Sequence, residues 1–452
     1  MSAFSNISRE ARFLVKQRYF LALLSIVLLL SVFSVWSGIS ETKTQLSTIE
    51  RLQEKDDVDR ANVLAKQSDY GSAAYYTFHL THSAPSAMAF AAMGQRDIYP
   101  WKHRIRMLAL EGQIYETDSD NPELSFLGRF DFAFLISVLL PLFVILLLHD
   151  LRSAEREAGR YDLLIATASK QQRLWLSRAS VLCTALAIAL LLPFVIGALI
   201  MQAPLVSTLQ VIAVVLGHIL FWMLLTLWFT SSKVTVKQSS AQIASVLLAV
   251  WLGVTVLVPV ASDIAIDEMV QSPNGGEIVL TQREAVNDAW DLPFAETWEP
   301  FIATHPQWKN YTEMNSQFEW KWYYAFQQVG DQKAAAISTA YREATFEKNT
   351  LAGRFAFLSP PMLAQKLLSS IAETDTLAAM KYEQEVRDYH QALRQFYYPL
   401  LFGNANRTET QSNQTINNKT TGNKAAFDPK ALSKLPKFTT FKNTIDSSKE
   451  NI

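Results

Sequence analysis

Five stretches of the chain are nearly free of charge and long enough to cross a bilayer as helix: residues 19–39, 130–149, 179–202, 206–230 and 241–262. A hydrocarbon core of about 30 Å needs roughly 20 residues at helical rise, and a helix satisfies every backbone group within its own segment. The first run, YFLALLSIVLLLSVFSVWSGI, follows a basic start and is too long for a cleaved signal, so it predicts a retained anchor. Pro141, Pro193 and Pro259 fall inside the second, third and fifth runs. A membrane helix tolerates proline where neighbours re-satisfy the freed carbonyls. Residues 355–372 (FAFLSPPMLAQKLLSSIA) are the one further candidate span. Pro360-Pro361, Lys366 and the serines there fit an interfacial or buried amphipathic helix better.

Between the runs the pattern changes. Residues 41–69 are polar with a partial helical stripe, Leu46, Ile49, Leu52, Val58 and Leu64, which predicts that the first span continues outward as helix. Residues 84–101 read as a packed irregular segment. Residues 263–403 carry Trp290, Trp298, Trp308, Trp320 and Trp322 among prolines, with helical patterns over about 312–328, 332–349 and 375–396. Side chains that bury so much area predict a folded domain with its own core. Residues 404–424 read as a flexible polar linker. The tail 425–452 opens on a short docking helix with Asp428 as cap and Pro429 at its first position.

Lys and Arg give the orientation. Residues 1–18, 149–178 and 230–240 hold 12 of them in 59 positions, against 10 in residues 41–130 and 19 in residues 263–452. The denser segments belong inside. The N-terminus is therefore expected in the cytoplasm, and residues 40–129 and 263–403 outside. The expected class is an all-α polytopic membrane protein of five spans, with a mostly helical extracytoplasmic domain built from two insertions.

Composition narrows the chemistry. A net charge of -1 removes any global electrostatic argument for nucleic acid as a partner. A single cysteine, Cys183, excludes an internal disulfide and a cysteine metal cluster, and reads as a buried thiol. The sequence contains no phosphate loop, H-E-x-x-H, G-x-S-x-G or dinucleotide fingerprint, so no catalytic, cofactor or metal residue is assigned. His79 and His82, three apart, would share a face if helical, suiting a metal only where carboxylates converge. His218 sits alone in the fourth run, where an imidazole bonded to a neighbouring helix is the simpler reading.

The segments expected inside carry the informative motifs. In SREARFLVKQR, Ala11, Leu14 and Val15 oppose Arg9, Arg12 and Lys16, which predicts an amphipathic interface helix within residues 1–18. In residues 150–178, Ser153, Glu155 and Glu157 form a charged turn that Gly159 breaks. Asp162, Leu163 and Leu164 begin a short apolar ridge, and Ser169 with Gln172 makes a capping box ahead of the next helix. An apolar ridge beside charges expects a protein partner.

This loop resembles the cytoplasmic loop between spans two and three of type 2 ABC exporter permeases, where an E-x-E-x-G motif precedes a coupling helix. Glu155, Glu157, Gly159, Leu163, Leu164, Ser169, Arg173 and Arg178 stand in the matching places; Arg160 replaces a usual Thr, and Ala168 a usual Pro. The chain is more specifically similar to a bacterial branch with large extracytoplasmic insertions. Four segments carry that likeness: Gly94 to Pro100, Gly128 to Phe134, Ser359 to Gln365 and Leu432 to Phe438. The resemblance implies a permease subunit of the inner membrane, without ATPase chemistry of its own. It implies two copies of a separate ATP-binding subunit holding ATP and Mg, a second permease copy or paralogue, and membrane lipid around the spans. Glu155, Glu157, Gly159, Asp162, Leu163, Leu164, Ser169 and Arg173 would receive the ATPase, and Arg9, Arg12 and Lys16 would flank it. The outer domain stays open to a periplasmic partner. The competing readings are a membrane receptor or sensor, and a scaffold, each with a periplasmic ligand- or partner-binding domain.

Overall fold

A computed structural model describes residues 18–115, 130–167, 171–231, 238–403 and 427–442. Among these, five helices are long and apolar enough to cross a membrane: Arg18–Ala65, Phe132–Glu157, Leu174–Ile200, Leu205–Ser231 and Ser240–Met269, numbered spans 1 to 5. Residues 360–371 form a helix of 12 residues, about 18 Å long and too short to span. It lies against spans 2, 4 and 5 as a packed amphipathic element. Span 2 is the centre of the bundle, 67% of its apolar window being buried, whereas span 5 is peripheral at 11%.

Span 1 runs without a break for 48 residues, about 72 Å, because its polar second half consists largely of good helix formers with no proline. It passes from the bundle into a second body. Where it leaves the bundle, Gly38 touches the segment 88–93 so closely that an added Cβ would lie 1.9 Å from the Phe90 carbonyl oxygen.

Spans 2 and 5 each contain a π-helical turn, Leu135–Leu139 and Gly253–Leu257, placed just ahead of Pro141 and Pro259. Proline has no N–H to give, so a carbonyl in the preceding turn is left without its partner. In span 5 that is Val254, five residues before Pro259, and the Ser359 hydroxyl donates to its carbonyl at 2.5 Å. In span 2 the Trp251 indole donates to the Val138 carbonyl at 3.1 Å. His218 is buried with its ring edge-on to Trp222 of the same helix, 6.4 Å between centroids, and its Nε2 has no partner among the described residues.

The second body is one core built from residues 70–115 and 275–402, with Leu432, Leu435 and Phe438 of the tail packed onto it. Its helices are Gly275–Asp288, Phe294–Thr304, Trp320–Phe355 and Thr376–Phe402. The two shorter patterns within 312–349 turn out to be one 36-residue helix starting at Trp320, with residues 312–319 outside it. After Pro429 the tail forms a 3-10 turn, Ala431–Lys434, where a docking helix is expected, and α-helix begins only at residue 438. The body also holds a hairpin the hydropathy pattern did not announce: β1 (His79–His82) pairs antiparallel with β2 (Lys102–Ile105), His79 opposite Ile105. His79 and His82 therefore lie in a strand and point to opposite faces, which removes the shared helical face.

A buried polar layer pins this body together. Glu111 takes Arg387 through two hydrogen bonds of 2.9 and 3.0 Å and accepts from Ser338 at 2.8 Å. Asp331 pairs with Arg394 and accepts from the Leu110 and Glu111 amides, so it caps the short helix Glu111–Tyr115. Burial raises the Glu111 carboxyl's pKa, but Arg387 outweighs it and holds the group below the usual carboxylate range.

Candidate functional site

At the opposite end of the bundle from this body, the chain makes a corner between spans 2 and 3. After Leu148 it turns and forms the elbow helix Ser153–Glu157. The Gly159 amide then bonds the Arg156 carbonyl at 2.9 Å, and the Arg160 amide reaches back to the Glu155 carbonyl at 2.9 Å. These two bonds are the Schellman pattern of a helix stop, which needs a left-handed residue at Gly159, and its φ is +69°. No atom lies within 4 Å of an added Cβ there, so glycine supplies backbone freedom and not space. The next helix, Tyr161–Thr167, can therefore leave at an angle to the elbow.

The carboxylates fix this corner to the spans. Glu155, 8% exposed, accepts from Arg178 of span 3 at 3.0 Å and from Arg160 at 2.9 Å. Arg178 also lies over the buried ring of Trp175, 5.5 Å from its centroid, and Tyr161 stacks on that ring at 6.0 Å. Glu157 accepts from the amide and hydroxyl of Ser240 at 3.1 Å each. Ser240 is the first residue of span 5, so a carboxylate sits where the helix dipole is positive. Its hydroxyl also meets Ser153 at 2.8 Å. The elbow, continuous with span 2, is thereby held to spans 3 and 5.

Of the residues singled out in the sequence, Glu155, Glu157 and Gly159 build this frame. Asp162 and Leu163 are displayed from it, Leu163 being 68% exposed, while Leu164 is half-buried. Ser169 and the Arg173 side chain lie outside the described residues, as do Arg9, Arg12 and Lys16. Sequence reading missed Trp175, Tyr161 and Ser240. The first two are 14 residues apart with no periodic relation, and Ser240 is 83 residues from Glu157, so no local pattern joins them. Among the described residues no three His, Cys, Asp or Glu side chains gather to hold a metal ion. Among the described residues the corner holds no nucleophile–base pair, and its carboxylates tie the elbow to two spans.

The motifs that carried the family likeness also meet in space. The Asp131 carboxylate caps span 2 at Phe134 and accepts from the Met93 amide at 2.9 Å, beside Gly94. Gln365 lies 3.0 Å from the Ser137 hydroxyl, and Thr374 donates to the Ala92 carbonyl at 2.8 Å. Residues in or beside three of the four segments thus approach one another at the level where the second body rests on the spans. The fourth packs in that body's core, the Tyr389 hydroxyl donating to the Pro436 carbonyl at 2.9 Å.

A family described as a domain of unknown function (DUF3526) matches residues 276–439, most of the aromatic body and its packed tail. Comparison of the chain with curated proteins and with solved structures gives no match.

Proposed function

We propose that the chain is the membrane permease subunit of an ATP-driven transporter of the export type, and that the corner at residues 150–167 receives a separate ATP-binding subunit. The observation that carries this reading is the pair of carboxylate ties. A push on the helix Tyr161–Thr167 is delivered to three spans at once, because Glu155 is tied to span 3 and Glu157 to span 5. A free surface loop would absorb such a push. The work enters through contacts that differ between the ATP-bound and ATP-free states of the partner. In this reading two ATP-binding subunits and a second permease copy or paralogue complete the assembly. The Lys and Arg distribution supports the orientation of this reading, with the corner in the cytoplasm and the aromatic body outside, and the family resemblance supports a bacterial inner membrane.

The test is copurification. Detergent-solubilised protein should retain an ATP-binding subunit encoded beside it and hydrolyse ATP. Leu163→Asp should abolish that association while leaving the permease's own melting temperature unchanged, since the side chain is exposed. An unassociated wild-type protein, or one that brings down a kinase instead, overturns the proposal in favour of a receptor. For the orientation, a periplasmic reporter fused after Phe402 should be active; an inactive one places the aromatic body inside.

A further inference from the structure

The aromatic body presents a ring-lined face that packing does not use. Trp290 is 52% exposed and Phe318 41%, and their rings are parallel with centroids 6.2 Å apart. Leu292, Phe294 and Tyr76 extend the same exposed surface. Ring contacts make it continuous: Phe294 touches Trp322, Trp322 touches Trp290, and Phe318 meets Trp320, which meets Tyr75 beside Tyr76. Residues 290–296 are all exposed in one unbroken run. A contiguous apolar patch on a folded body marks an interaction site more than scattered apolar side chains do.

Two observations say what kind of partner fits. The first is position. Lys348 pairs with Asp267 at the outer end of span 5, and Trp320 lies 28 residues earlier on the same helix, about 42 Å away at helical rise. The patch thus lies at the far end of this helix from the point where it meets span 5. The second is charge. Residues 284–308 contain five carboxylates, Asp291 and Glu296 among them, all exposed, and no Lys or Arg. Between residues 310 and 332 the single basic side chain, Lys321, is salt-bridged to Glu319 at 3.0 Å. Electron-rich ring faces bordered by carboxylates are the complement of guanidinium and ammonium groups. The body already uses this chemistry on itself at the patch edge, where Arg106 lies 5.4 Å from the Tyr75 ring and 4.8 Å from Phe78.

We propose that this distal aromatic face docks a cationic polypeptide segment, whose Arg or Lys side chains stack on Trp290 and Phe318 while Asp291 and Glu296 neutralise them. The rings are preorganised, since Trp290 is braced from below by Trp322 and Phe326. The inference stands independently of ATP coupling.

The experiment uses the full-length protein in nanodiscs of zwitterionic lipid and a fluorescein-labelled peptide of alternating Arg and Ala, read by anisotropy. A Glu-for-Arg peptide and maltohexaose serve as competitors. The Arg peptide should bind, more weakly as salt rises, and neither competitor should displace it. Trp290→Ala and, separately, Asp291→Lys with Glu296→Lys should each weaken binding by about tenfold or more. The second variant changes only exposed side chains, which guards against a folding defect in the first. Absent binding, binding that both variants leave unchanged, displacement by maltohexaose without salt dependence, or a patch occupied by self-association that Trp290→Ala abolishes would each overturn the proposal.

Discussion

Two carboxylates in this molecule each receive guanidinium groups, yet their surroundings make them different devices. Glu111 lies inside the aromatic body, where Arg387 binds it twice and Ser338 completes its shell. Glu155 lies at the corner, bonded to Arg178, which is nearly buried, and to Arg160, whose side chain is largely in solvent. The first layer is enclosed on all sides by rings and helices. The second sits beside a helix whose Asp162 and Leu163 face outward. The same pairing chemistry therefore seals a core in one place and in the other holds a displayed element at fixed geometry. A charge pair's role is set less by its partners than by what the adjoining backbone is left free to touch.

The largest test of that contrast is Arg387→Met. Removing one partner leaves the Glu111 charge buried without compensation, a loss of about 3–5 kcal/mol. Thermal unfolding followed by tryptophan fluorescence should show the aromatic body melting well below the wild type. The double replacement Glu111→Leu with Arg387→Met should recover part of the loss, because the stranded Glu111 charge is gone while Glu383, 3.5 Å from Arg387, still loses its partner.

Acid is the next largest. Burial lowers the pKa of His79 to about 3 and of His103 to about 4, with Arg60 and Arg387 respectively pushing in the same direction. His82 falls to about 4 through burial and the nearby Lys442, and His390 lies well below its ordinary value. The unfolded chain binds protons at these sites from about pH 6.5 downward while the folded body does not, so stability falls as pH drops from 6.5 toward 4. For His103 alone the loss by pH 4 is on the order of 3 kcal/mol. Residues 150–178 contain no histidine. Hydrogen exchange should show the hairpin β1–β2 opening in this range before the corner does, and His103→Gln should flatten the pH slope; a corner that opens first breaks the contrast.

Glu155→Gln should cost less than Arg387→Met, about 1–3 kcal/mol, since one of its two partners is solvated and contributes little. The readout is proteolysis within residues 150–170, which should accelerate while the aromatic body's melting stays put. If Glu155→Gln destabilises the whole chain as much as Arg387→Met, the corner is a core and not a joint. The smallest effect belongs to Gly159→Ala, about 1–2 kcal/mol from the left-handed backbone alone, because the new methyl meets no atom. It should alter the angle of Tyr161–Thr167 and, under the proposed coupling, lower ATP hydrolysis by the copurified complex.

Much of this architecture was legible along the chain. The five charge-poor runs coincide with the five helices, span 1 continues beyond the bundle as helix, and Glu155, Glu157 and Gly159 form one frame. The hairpin was not legible, because four-residue strands with His at both ends of β1 show no alternation strong enough to read. The break at residues 312–319 was hidden because its polar and aromatic positions mimic the helical spacing that follows. Trp175 and Ser240 belong to the corner only through contacts between separate helices.

What the sequence determined by itself is what depends on local solvent preference: which segments avoid water, where helices can run, and where Gly159 or a proline must interrupt them. Those preferences act residue by residue and need no partner. Which groups compensate the interruptions was decided only by tertiary structure. Nothing near Pro259 in sequence shows that Ser359, 105 residues from Val254, donates to the freed carbonyl, or that Arg387, 276 residues away, neutralises Glu111. A buried polar group needs some partner, but the chain leaves its identity open until packing brings one within 3 Å.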